Sequence, residues 1–305
     1  MSDIGSVVVL LSSFNGEKFI SEQLDSVLTQ DVADLKIIIR DDGSSDSTRR
    51  ILNKYASKYE NVSVVFGKNI GVVSSFFELL DLVPENVGYV AFCDQDDVWD
   101  KDKLKRSIAA LRQLKIPGMY CSSVRVVDEN LNYCGTSDSI YREPSLENAL
   151  IENIATGCTI TLNNSALNLI VKPRLNFKKI TMHDAWVYLV ISTFGVVIYD
   201  KNPTISYRQH GSNVVGHSSG LSKIISRMRR HLGPADHRLS LQAEEFLKAY
   251  REEIDCKSMK LIQECLDCCS GNYFKRLRFS LSSPLKRQSR LDNFIFRILI
   301  LLGRI

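Results

Sequence analysis

Aliphatic residues run unbroken from Val7 to Leu11, and Leu35 to Ile39 repeats the pattern with Lys36 as its one interruption. Such runs suit strands buried on both faces. Between them Phe19, Leu24, Val27 and Leu28 recur at helical spacing, so the first forty residues read as strand, helix, strand, a βαβ unit with a right-handed crossover. The alternation continues with a helix over Asp46–Tyr59, a strand over Val62–Phe66, a helix over Val73–Leu82, a strand over Tyr89–Phe92, a helix over Lys101–Leu114 and an extended segment over Gly118–Val127. This order predicts an α/β fold with an open, mostly parallel sheet flanked by helices.

Past residue 130 the rhythm loosens. A polar connection over Thr136–Ser145 precedes an expected strand at Thr159–Leu162, a helix over Asp184–Thr193, and short strands at Val196–Tyr199 and Ile205–Tyr207. Residues 221–305 carry helical periodicity without strand signals, with amphipathic segments at Leu239–Ile254 and Met259–Cys269. No internal repeat is present. The expected organisation is a body over 1–220, with halves 1–130 and 131–220, and a helical C-terminal extension over 221–305 that binds membrane or another subunit, joined at the HSSGLS segment 217–222.

Composition narrows the function classes. With 44% hydrophobic and 24% charged residues among 305, the chain matches globular usage and excludes a disordered or low-complexity protein. The net charge of +4 is unevenly distributed: residues 1–220 hold 22 Lys and Arg against 26 Asp and Glu, residues 221–305 hold 17 against 9. An acidic body argues against a nucleic-acid partner, and a basic tail directs any anionic surface, lipid first, to the C-terminal region. The opening MSDIGSVVVLLSSF lacks a cationic segment before its apolar run, and no apolar stretch reaches the ~18 residues of a spanning helix. Both features predict a cytoplasmic location, with peripheral contact at the inner face of the cytoplasmic membrane left open. The eight cysteines read as reduced thiols, because the Cys265-x-x-Cys268 spacing has no second pair or His at zinc-finger distance.

In an open parallel sheet, ligands sit outside the carboxyl ends of the strands. Four polar clusters fall there: Ser12, Ser13 and Asn15; Asp41, Asp42, Gly43 and Ser44; Asn69 and Gly71; and Asp94, Gln95, Asp96 and Asp97. Each alone is an ordinary turn or cap, but four in register point to one shared site. Three carboxylates within four residues at a sheet mouth demand a divalent cation or a proton; the competing reading is a solvated acidic turn ahead of the helix beginning near Asp100.

The stretches VVLLSSFNGEKFISEQLDSVLTQ, IIIRDDGSSDST, GKNIGVVSSFFELL and FCDQDDVW, followed by MHDAW at 182–186 and YRQHGSNVVG at 207–216, resemble the family 2 glycosyltransferases of the GT-A fold over roughly the first 215 residues. The combination is most similar to bacterial rhamnosyltransferases of surface polysaccharide assembly. The resemblance implies an inverting, metal-dependent transfer from a dTDP- or UDP-linked donor, dTDP-rhamnose foremost, to a hydroxyl of a lipid-linked or oligosaccharide acceptor. It implies that Asp42, with Asp41 and the backbone at Ser12, holds the pyrimidine, and that Asn15, Asn69, Gly71, Asp94 and Gln95 line the nucleotide. Asp94 and Asp96 form its DxD, with Asp96 and His210 toward a Mg²⁺ or Mn²⁺ ion and Asp97 free to cap the next helix. Asp184 takes the place of the general base, and Arg208, His183, Trp186, Gly157 and Trp99 fall in the diphosphate or acceptor region.

Each assignment has a structural counterpart: Asp184 as a helix cap, His210 as a structural imidazole, Trp99 and Trp186 as packing, and Gly157 as a close-packing glycine. Two other functions compete. YVAFCDQDDV also fits the DxDx[TV] signature of haloacid-dehalogenase-like phosphatases, although no downstream acidic pair follows, and a non-catalytic nucleotide-sugar or glycan binder fits the same scaffold. In the tail, Leu291, Phe294, Ile295, Ile298, Leu299 and Leu302 make an apolar stripe among Lys275, Arg276, Arg278, Lys286, Arg287, Arg290, Arg297 and Arg304. That pattern suits an anionic membrane surface, or packing on the body or on a second copy.

Overall fold

The computed structural model describes residues 5–137, 140–210 and 238–304. A seven-stranded sheet forms the centre, in the order β10 (Val196–Asp200), β6 (Gly118–Ser122), β9 (Thr161–Asn163), β4 (Tyr89–Cys93), β1 (Val7–Ser13), β2 (Leu35–Asp41), β3 (Val62–Phe66). All neighbours pair in parallel except β9, which runs antiparallel to both β4 and β6. The aliphatic runs are explained by two covered faces: Val7, Val9 and Leu11 enter one core, and Val8 and Leu10 the other.

Helices α1 (Ile20–Leu28), α2 (Thr48–Lys58) and α4 (Lys103–Leu111) bury Leu24, Leu52 and Ile108 on the first face. The second face carries α3 (Val72–Asp81), α5 (Leu146–Ala149), α6 (Asn164–Val171) and α7 (His183–Phe194). Helix α7 is buried nearly all round, with Ala185 to Ile191 inside, because the tail covers its outer side. That tail comprises α8 (Arg238–Ala249), α9 (Cys256–Ser270), α10 (Tyr273–Ser282) and α11 (Arg290–Leu302). Phe246 of α8 and Tyr250 just beyond it pack against Trp186 with ring centroids 6.0 and 6.3 Å away. Burying Phe246 contributes about 1.5–3 kcal/mol. Over residues 238–304 the extension is therefore helical as expected, but it shares one core with the sheet; residues 211–237, the 217–222 junction among them, lie outside the described residues.

A second, four-stranded sheet departs from the expected pattern. The segment Gly118–Val127 divides into β6 and β7 (Arg125–Val127), and β7 joins β5 (Val98–Trp99), β11 (Ile205–Arg208) and β8 (Tyr133–Thr136) in the order β5-β11-β7-β8. Its function is positional: it brings residues 208–210 beside the loop after β4.

Candidate active site

Ser13 is the register partner of Asp41, and Leu11 of Cys93, so β1 and β2 end level, β4 ends two residues earlier, and their following residues share one rim. At that rim Asn15 takes a left-handed conformation (φ 49°), its N–H donating to Ser44 Oγ at 2.9 Å and its Oδ1 accepting the Ser45 N–H at 2.8 Å. Ser12 Oγ lies 2.7 Å from Ser75 Oγ on α3. Gln95 closes on the β1 loop, accepting the Phe14 N–H at 2.8 Å and donating to the Phe14 carbonyl at 3.1 Å. Three of the four clusters are thereby linked through side chains.

The two aspartates after β2 differ in a way sequence spacing could not reveal. Both oxygens of Asp42 are engaged: Oδ1 accepts from Arg40 at 2.5 Å and from the Ile70 N–H at 2.9 Å, Oδ2 from the Gly71 N–H at 2.9 Å. Asp42 thus clamps the Asn69–Gly71 loop to β2, and Gly43 (φ +86°) lets that loop approach, since a Cβ there would meet the Asn69 nitrogen at 2.9 Å. Asp41 accepts from Ser44 N–H and Arg49 through Oδ1, while its buried Oδ2 has no partner among the described residues. Of the two, Asp42 has both oxygens committed within the protein and Asp41 only one.

Removing the Asp42 carboxylate with Asp42→Ala leaves a 3%-exposed Arg40 side chain without one of its two carboxylate partners and orphans two loop N–H groups. The expected cost is about 3 kcal/mol, the low end for a broken buried pair because Glu78 still holds Arg40 Nε. Urea unfolding checks this; an unchanged midpoint would contradict the clamp.

The loop after β4 gathers the acids. Asp94 and Asp97 bring ligand atoms within 4.8 Å of each other and of the Cys158 sulfur. Burial, followed by the charges of Asp97, Asp96 and Asp184, holds the Asp94 carboxyl well above the usual carboxylate range. Burial and then Asp96 push Asp97 up as well. Asp97 does not cap the next helix: its Oδ1 accepts the Arg208 N–H at 3.1 Å, and its Oδ2 has no partner among the described residues. Asp96 instead meets His210, Nε2 to Oδ2 at 2.8 Å. The expected set of Asp94, Asp96 and His210 is therefore split, with Asp94 turned toward Asp97. Burial also raises the Cys158 thiol, which leaves it a poor ligand for a hard cation. The oxygen-rich donor set, an orphaned Asp97 oxygen and mutual repulsion fit a Mg²⁺- or Mn²⁺-type ion.

Asp184 stands in the first turn of α7, behind the N-cap Met182, and Met182 makes no side-chain cap. Its Oδ1 accepts the Ala185 N–H at 2.6 Å, and Asn153 and the Gly157 backbone also bond it. Burial outweighs these bonds and raises its pKa to about 6. Asn153 was absent from the sequence-based set, and an Asn thirty-one residues away offers no local signal.

Four other expected residues are placed in packing roles. His183 stacks on Phe76 at 4.0 Å and meets Phe92 edge-on, and burial pulls its pKa to about 3, so it stays neutral inside the core. Gly157 packs on it, since a Cβ would approach His183 Nε2 to 2.9 Å. Trp186 is enclosed by α8, and Trp99 lies under Lys103, whose Nζ sits 3.7 Å over the indole. Neither tryptophan presents a face to a sugar. Arg208 is 2% exposed: Nε donates to the Asp96 carbonyl at 2.8 Å, and the other nitrogens to the Glu129 carbonyl and Glu22. It ties β11 to the acidic loop and to α1.

Lys103 was missed altogether. It is fully buried beneath the acidic loop, and burial lowers its pKa to about 8, with the Asp97 carboxylate opposing the shift. The hollow of about 510 Å³ between α4 and β10 is a different place; there Arg106 and Tyr120 both bond Asp200.

Residues 8–167 match the model of Glycosyl transferase family 2. The dTDP-rhamnosyl transferase RfbG of Shigella flexneri is 31% identical over 68% of this chain and 73% of its own length. Among solved structures, S. aureus TarS 1–349 in complex with UDP-GlcNAc superposes with a TM-score of 0.60 at 18% identity, over 97% of this chain and 81% of that one. The mannosyltransferase PcManGT from Pyrobaculum calidifontis, in complex with GDP-Man and Mn²⁺, gives 0.57 at 13% identity over 98% and 86%. These likenesses identify the fold as GT-A.

Proposed function

The chain belongs to glycosyl transferase family 2, and from that premise we propose that it moves a sugar from a nucleoside diphosphate donor to an acceptor hydroxyl with inversion, Asp184 acting as general base. The observation that carries this reading is Asp184 itself, a partly exposed carboxylate close enough to Asp94 to raise it, with a pKa near 6. A base poised just below neutral is ionised at pH 7 yet able to accept a proton in the transition state.

The acceptor hydroxyl loses its proton to Asp184 as its oxygen attacks the anomeric carbon, and the bond to the diphosphate breaks on the opposite face. The pyrimidine falls to Asp42 and Asp41 with the backbone at Ser12, and the Asn69–Gly71 and Ser12–Asn15 loops form the nucleotide wall. The acidic loop, with Asp94 and the uncommitted Oδ2 of Asp97 together and Asp96 beside His210, would hold a divalent cation, which would supply charge neutralisation for the departing diphosphate. Arg208 and Asp97 keep that loop in position.

The donor is dTDP-rhamnose in this reading, supported by the likeness to RfbG, with UDP-hexoses as the alternative. The acceptor is a lipid-linked glycan of bacterial surface polysaccharide assembly. Family membership displaces the phosphatase reading, and the presence of both the acidic loop and Asp184 favours a catalyst over a binder. Calorimetry with Mn²⁺ across dTDP-rhamnose, UDP-glucose, UDP-galactose and UDP-N-acetylglucosamine tests the donor. Tightest binding of dTDP-rhamnose is expected; binding of none of the four would overturn the proposal.

A further inference from the structure

Helix α11 divides its apolar residues between two sides. Phe296 and Ile300 enter the core together with the side of Asp292, whereas Leu291, Phe294, Ile298 and Leu302 remain 58%, 63%, 40% and 62% exposed. Their i, i+3, i+7, i+11 spacing aligns them in a row about 16 Å long. Ile295 and Leu299, part of the stripe expected from sequence, are half-buried beside it. On the adjoining α10, Phe274 and Leu281 are each 77% exposed, two turns apart and turned away from the buried Phe279 and Ser280. Six large apolar side chains in solvent on one helical hairpin exceed the scattered exposure usual for a surface.

The charges on the hairpin are one-sided. Residues 273–304 contain eight Lys and Arg and a single acid, Asp292, which is buried. Arg287 and Arg297 bond the carbonyls of Ile151 and Ser280, but Lys275, Arg278, Lys286 and Arg290 are exposed. Two copies meeting through this surface would oppose like charges. No helix among the described residues is long and apolar enough to cross a membrane.

We infer that α10 and α11 form a docking surface for an anionic phospholipid bilayer, the apolar row entering at headgroup depth and the four exposed cations meeting headgroup phosphates. The surface is joined to the site by direct contacts. Gln288, between the two helices, accepts the N–H groups of Tyr141 and Arg142 at 2.9 and 2.8 Å, and its own N–H donates to Glu152 at 2.6 Å. Asn148 donates to the Lys286 carbonyl at 2.9 Å. The segment held this way leads directly to Asn153, which bonds Asp184. Bilayer docking thus sets the acceptor side of the cleft relative to the membrane; this last step rests on the reading of Asp184 given above.

Flotation of the full chain with phosphatidylcholine vesicles, with and without phosphatidylglycerol, tests the inference. Binding is expected only to the anionic vesicles, weakened by salt. A Phe294→Ser, Ile298→Ser, Leu302→Ser triple variant is expected to lose it by about tenfold or more, with unchanged thermal melting because all three positions face solvent. A wild-type chain that ignores anionic vesicles, or a triple variant that floats equally well, overturns the surface. So does a wild-type dimer, seen by ultracentrifugation, that the triple variant converts to monomer. Donor binding by the triple variant, measured alongside, separates failure of this surface from failure of the transferase reading.

Discussion

Asp184→Asn is expected to lower the transfer rate by about 10²–10⁴ while leaving donor affinity within a few-fold of wild type. The amide keeps the shape of the carboxylate but cannot accept the acceptor's proton. The acid limb of the rate profile should follow the same group: with a pKa near 6, transfer falls as pH drops through 6 and the carboxylate takes up a proton. Stability moves the other way. A folded-state pKa raised above the unfolded value near 3.8 means that ionising Asp184 costs stability as pH rises from about 4 through 6. The Asn variant should therefore melt at a higher temperature than wild type at neutral pH, with the gap closing below pH 4. Loss of donor affinity with an unchanged turnover number would move Asp184 to the donor site.

Asp96→Ala, or saturating EDTA on the wild type, is expected to reduce turnover by about 10³ or more. Burial, followed by neighbouring carboxylates, holds both Asp94 and Asp97 above the usual range, so their ionised forms beside an entering diphosphate would stack charge of one sign unless a cation offsets it. Mn²⁺ binding followed by electron paramagnetic resonance gives a readout separate from activity, and the variant should lose it. Full activity in saturating chelator would remove the cation from the account.

The parallel sheet was legible because a doubly covered strand must be apolar at every position: Val7–Leu11 meets that demand without help from the rest of the chain, and Leu35–Ile39 meets it apart from the exposed Lys36. The rim was legible for the same reason: wherever an aliphatic run stops, the next residues emerge at the sheet's edge. What escaped was set by distant partners. The two-residue β5 and the exposed β8 have too few positions to show a period, and both exist through pairing with β11 and β7. The division of work between Asp41 and Asp42 depends on the loop 28 residues further on, and the engagement of Arg208 depends on α1 and the acidic loop. Trp99 and Trp186 look alike in sequence whether they stack on a sugar or lie under Lys103 and α8. The tail reads the reverse way: its amphipathic stripe was visible, but only packing distinguishes Phe296, inside, from Phe294, outside.

The stereochemistry of transfer tests the central claim most directly, because one base opposite one leaving group permits a single displacement. Proton NMR of the wild-type enzyme consuming its nucleotide-sugar donor, with an acceptor or with water alone, reads the anomeric configuration of the first product formed. Inversion relative to the donor, with release of the nucleoside diphosphate, is the expected result; retention of configuration would contradict the account.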